Sequence, residues 1–189
     1  MKNLIITLLC FLILNACQPI EKVNHIVFDN SQFAYFNILS TSIKINKIFE
    51  KKISDPYIGH TLEINPSERI FSWINNNFKP IGNENNFNVA ILDASITQTQ
   101  FENKEAKNFD EKNNYMYELF YLLEFSLFDD SGNLVASTLV ETSRSTTSGI
   151  YISIQEKDNI IDDLIYNSLV DISNETEKLL TNYMANYIL

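Results

Sequence analysis

Side chains able to do chemistry are few in this chain of 189 residues, and most of them sit where structure rather than reaction would use them. Only two imidazoles are available, His25 in a polar stretch near the N-terminus and His60 in a loop beside Gly59, and neither belongs to a metal-binding motif. Carboxylates occur in the pairs Glu118/Glu124, Asp129/Asp130 and Asp162/Asp163. The first pair falls on one face of an extended segment, where two carboxyls could divide acid and base work. A solvated sheet face is the expectation there, and the Asp pairs belong to a turn and to a helix surface. There is no GxSxG elbow, HExxH, P-loop or GxGxxG. With four glycines in all, a phosphate-cradling loop has little material to form from. The expectation is a non-enzymatic protein without cofactor or metal.

Two features could serve recognition instead. Arg144 stands in the run Thr142-Ser143-Arg144-Ser145-Thr146-Thr147. A guanidinium on such a strand either clamps an anion through paired N–H groups or pairs with a neighbouring carboxylate, Asp93 or Glu118; the ion pair is the expectation. Tyr115, Tyr117 and Tyr121 share one strand face. Tyrosines so placed either present an amphipathic contact surface to a partner or pack as core beneath helices; core is the expectation.

The thiols carry the clearest signal. Met1-Lys2 begins a basic leader, residues 4–14 form an apolar stretch, and Leu14-Asn15-Ala16-Cys17 follows. The stretch is about eleven residues, the length of a signal-peptide core and well short of the roughly 20 that a membrane-spanning helix needs. Leu14-Asn15-Ala16-Cys17 resembles a bacterial lipobox. That resemblance implies cleavage before Cys17, acylation of its thiol, and attachment to a membrane at about 0.8 kcal/mol per buried CH₂. Gln18, rather than Asp, favours the outer membrane by the enterobacterial sorting rule. Cys10 would leave with the leader, so no disulfide, cysteine metal site or redox couple would remain.

The formal charge is −10, spread along the chain. Such a field disfavours nucleic acid and anionic lipid headgroups as partners. The expected organisation is a leader over residues 1–16, an acylated Cys17 with a tether to residue 33, and a single periplasmic domain over 34–189. A tether of this length reaches roughly 20 Å, which keeps the domain close to its membrane.

Hydrophobic spacing gives the elements of that domain. Residues 42–46 alternate as a strand. Asn65-Pro66-Ser67-Glu68 starts a helix over 66–79, with Asn as cap, Pro in the first turn and an acid at the positive end. A second strand spans 87–96, with Phe87, Val89, Ile91, Asp93 and Ser95 on one face. After a charged loop over 102–114, residues 115–128 form the longest strand: Tyr115 to Leu127 by twos on one face, Glu118 and Glu124 with Phe120, Leu122 and Phe128 on the other. Asp129-Asp130-Ser131-Gly132-Asn133 makes a hairpin turn into a strand over 134–147. Ser153-Ile154-Gln155-Glu156 is a capping box ahead of a long amphipathic helix. The fold class is α+β: a two-layer sandwich of about four antiparallel strands in the order β-α-β-β-β-α, with two helices on one face.

Pro66-x₆-Trp73, Gly82, Ile91-Leu92-Asp93-Ala94-Ser95 and Arg144-Ser145 resemble uncharacterised alphaproteobacterial envelope lipoproteins. The small α+β domain behind a lipobox is similar, more distantly, to auxiliary lipoproteins of envelope ABC lipid-transport systems. The second resemblance implies guiding or shuttling lipid between membranes with inner-membrane partners. The leading expectation is a lipid-anchored, periplasm-facing component that contacts proteins in envelope biogenesis or transport. Two others follow: a carrier of lipid or another hydrophobic ligand, which needs an apolar pocket between sheet and helices, and a hydrolase, which needs His60 beside a carboxylate and a serine.

Overall fold

The computed structural model describes residues 30–63, 65–104, 106–107 and 112–189. The leader, Cys17 and His25 lie outside the described residues. Element order is β1 (Phe36–Ile38), β2 (Ser42–Lys47), α1 (Pro66–Asn77), β3 (Phe78–Pro80), β4 (Asn86–Glu102), β5 (Asn113–Phe128), β6 (Leu134–Gly149) and α2 (Ile154–Tyr183).

The α+β class and the two helices are as expected, and four strands form the main sheet in the order β2-β4-β5-β6. β4, β5 and β6 are an antiparallel meander of long strands, but β2 pairs with β4 in parallel. The reason is connectivity. Between β2 and β4 the chain runs through α1, and a helical crossover brings a strand back in the direction it left. Two three-residue strands that spacing does not reveal, β1 and β3, form a separate parallel pair.

A β-bulge on β4 decides which side of the sheet its residues face. Pairing with β5 runs from Phe87↔Leu127 to Ile91↔Leu123 and resumes at Asp93↔Leu122, so Leu92 is the extra residue. Phe87, Val89 and Ile91 therefore share the inner side with Ala94 and Ile96, and all five are buried. Asp93 and Ser95 go to the outer side, which corrects the unbroken alternation expected of this strand. One inserted residue flips every later side chain, and here it keeps the apolar set inside.

Both helices cover the inner side. α1 starts where Asn65 accepts a hydrogen bond from the Glu68 N–H, and α2 starts at a complete capping box between Ser153 and Glu156. Trp73 of α1 and Phe78 of β3 make an edge-on ring contact of 5.4 Å, and Phe78 stacks on Phe36 at 4.5 Å and on Phe125 at 5.6 Å. Leu164, Ile165, Leu169 and Ile172 of α2 close the rest of the core. The packed unit begins before the expected boundary at residue 34: Phe33 is buried, and Tyr166 of α2 donates to Gln32 at 2.7 Å.

Gly82 lies just past β3, where the chain runs beside the residues that follow β1, and its N–H donates to the Ser40 carbonyl at 3.0 Å. A Cβ on Gly82 would lie 2.6 Å from the backbone of both Leu39 and Ser40. Backbone cannot yield as a flexible side chain can, so Gly82→Ala should destabilise by about 1–3 kcal/mol in denaturant unfolding; wild-type stability would show that the two segments are less tightly apposed.

Two exposed carboxylates hold local structure in a pH-dependent way. Asp129 accepts from Ser131 and Asn133, and Glu156 accepts from Ser153; these hydrogen bonds hold both carboxyls below their ordinary range. A lowered folded pKa contributes stability at and above the ordinary carboxylate range, lost as pH falls through the folded value. Asp129→Asn and Glu156→Gln should therefore melt below wild type at neutral pH and converge with it in acid. A gap that persists below the carboxylate range would contradict this linkage.

Candidate functional site

Arg144 makes an ion pair, as expected in kind, but with a different partner. Its Nε lies 2.6 Å from Asp171 Oδ2 and its Nη2 3.0 Å from Oδ1, a bidentate clamp from β6 to α2. This bond raises the Arg144 pKa further above its ordinary value. The expected partners are elsewhere, because register puts Arg144 opposite Leu119 on the helix-covered side. Asp93 and Glu118 point to the other side, where Asp93 accepts from the Ser95 N–H at 2.8 Å and Glu118 from the Ser143 hydroxyl at 3.0 Å.

Tyr117 and Tyr121 lie at full burial beneath the helices. At these two positions the tyrosine stripe is core and neither ring is open to a partner, while Tyr115 is partly buried against that core. Tyr121 donates to the Pro66 carbonyl at 3.2 Å, and burial pushes its phenol far above the ordinary range. The Ser148 hydroxyl donates to Tyr117 Oη at 3.4 Å.

His60 sits in a short turn, Gly59–Thr61, on the rim of a cleft that also meets Lys52, Tyr57 and Ser95. The cleft holds about 10 Å³, the room of a single water. Lys52 Nζ is committed to Tyr57 Oη at 3.0 Å. The carrier reading meets a filled interior: Trp73, Phe78 and Leu164 occupy the space between sheet and helices, with at most 5% of any of them exposed.

The remaining surface with a distinct character is the outer side of the sheet. Pairing of β4, β5 and β6 places Phe120, Leu122 and Phe128 of β5 there with Leu134 and Leu139 of β6. Leu134 and Leu139 are each 56% exposed, and the three β5 side chains are partly exposed. Glu118, Glu124 and Glu141 stand among them on the same side. The helices pack on the opposite side, so among the described residues no helix covers this face, where Phe120, Leu122 and Leu139 form one apolar group and Phe128 and Leu134 another, with Glu124 and the Ser126–Ser137 rung between them. The sequence marks Phe120, Leu122 and Phe128 as off the core face, but it does not say that nothing else would cover them.

No family model matches the chain, and no curated protein matches it. Among solved structures it is similar to a minor lipoprotein from Acinetobacter baumannii, at 10% identity and a TM-score of 0.42, over 73% of this chain and 91% of that one. It is also similar to the rare lipoprotein B from Shewanella oneidensis, at 12% identity and a TM-score of 0.37, over 75% of this chain and 97% of that one.

The Arg144–Asp171 clamp is more than a third exposed on both sides. A double-mutant cycle with Arg144→Gln and Asp171→Asn should give a coupling of up to about 1 kcal/mol that shrinks with added salt. A coupling several times larger and insensitive to salt would instead mark a desolvated pair.

Proposed function

We propose that this chain is a lipid-anchored periplasmic domain, held at the outer membrane by acyl chains on Cys17, that works without catalysis by docking an envelope protein on the open side of its sheet. The observation that carries this reading is the apolar surface of the outer side, with Leu134 and Leu139 exposed and Phe120, Leu122 and Phe128 partly so. Exposed apolar side chains set among polar groups are a recurrent mark of protein contact.

The route of the chain supports the same reading. It joins the domain through the turn Asn30–Gln32, and there Gln32 and Phe33 contact Tyr166 of α2. The described chain thus begins at the helix layer, on the side of the sheet away from the docking face. A role in envelope biogenesis or transport fits a domain kept within a few nanometres of its membrane.

Two variants separate the anchor from the docking face. Cys17→Ser should release the protein from membranes; a Ser variant that still sediments with them would refute the anchor. Leu134→Ser combined with Leu139→Ser should change stability by no more than about 0.5 kcal/mol per site while removing the partner recovered after crosslinking from membranes. Undiminished recovery of that partner would refute the docking face.

A further inference from the structure

The open side ends at β6, and β6 is a sheet edge. Among the described residues its one neighbour in the sheet is β5. Along its 16 residues every second N–H and C=O therefore points away from the sheet. Soluble proteins usually blunt such an edge with charged side chains, Lys above all, with Pro, a bulge or a covering element, and here the charges are Glu141 and the inward-facing Arg144. Residues 136–148 hold no Lys and no Pro. Their pairing with β5 is unbroken; the bulge of β6 lies before them, at Val135. Cover is incomplete as well. α2 packs on the inner side of β6, and an open groove of about 470 Å³ remains at its edge, lined by Glu141, Thr142, Ser143, Asn174 and Glu175 among others.

Charge at this edge is specific. Asp171 is taken by Arg144, and Glu175 by Lys178 at 3.0 Å. Glu141 has no ionic partner among the described residues, and it shares the open side with Glu118 and Glu124. It is paired across the ladder with Leu122, and Leu139 lies two residues before it on the same side. A strand laid against β6 would thus meet an unpaired carboxylate next to an exposed leucine.

We infer that the β6 edge accepts an extended segment of the partner protein as a fifth strand, with Lys or Arg opposite Glu141 and an apolar residue two positions away opposite Leu139. This rests on the docking role proposed above and names the chemistry of the contact. Backbone hydrogen bonds supply adhesion in such strand addition, and alternate side chains supply selection. A second copy of this chain fits poorly. Edge-to-edge pairing about a two-fold axis keeps outer side against outer side, and the outer residues of β6 (Ser137, Leu139, Glu141, Ser143, Ser145 and Thr147) include no cation. Each copy would also bring a formal charge of −10.

The test uses the full chain and two ten-residue peptides of alternating Val and Thr, N-methylated along one edge to prevent self-pairing. One carries a central Lys and the other a central Glu. The Lys peptide should slow amide exchange at alternate residues of β6 and bind about five-fold more tightly than the Glu peptide. Glu141→Lys should invert that preference. Equal binding of the two peptides, absence of β6 protection with either, or protection of β6 without peptide through self-pairing would each overturn the inference. If β6 stays silent while the Leu134→Ser/Leu139→Ser variant still loses its crosslinked partner, the edge contact fails and the docking face stands.

Discussion

The bulge at Leu92 is the constraint on which the rest of the molecule depends. β4 is 17 residues long and pairs with both β2 and β5, so its side-chain alternation sets the two faces of the sheet. Without the extra residue, Asp93 and Ser95 would turn toward the helices and Ala94 and Ile96 toward water. A carboxylate driven into that interior without a partner would cost several kcal/mol. With it, the inner side stays apolar from Phe87 to Ile96, and α1 and α2 have a continuous surface to seal.

The sealed side and the open side then follow from one another. Two helices are enough to cover one face of four strands, and the rings of Phe36, Trp73, Phe78 and Phe125 fill the joint between the small β1–β3 pair and the main sheet. The Arg144–Asp171 clamp adds a polar tie from β6 to α2 at the border of that layer. Among the described residues both α-helices are spent on the inner one. The outer side retains Phe120, Leu122 and Phe128 in a field of carboxylates, a composition suited to contact that is selective by charge and adhesive by area.

How much of this was legible beforehand depended on whether the signal was local. The β5 stripe of Tyr115 to Leu127, the caps at Asn65 and Ser153, and the Asp129–Asn133 turn were all readable, because each is fixed by residues within a few positions. The bulge was not, since Ala90, Leu92, Ala94 and Ile96 make either side of β4 look apolar. Parallel pairing of β2 was hidden for a different reason: alternation carries no direction, and the crossover through α1 settles it. The partner of Arg144 lies 27 residues away on a helix, beyond any spacing rule. The lipobox-like run Leu14-Asn15-Ala16-Cys17 is local in the same way, four adjacent residues, and it lies outside the described residues.

The central claim is that the open sheet side, rather than the helix layer, meets the partner. It is tested most directly by placing a photocrosslinking amino acid at Phe120 on the outer side, or at Tyr183 on the exposed end of α2, and irradiating intact cells. The account predicts a discrete heterologous adduct from position 120 and none from 183. An adduct from 183 with only monomer at 120 would contradict it.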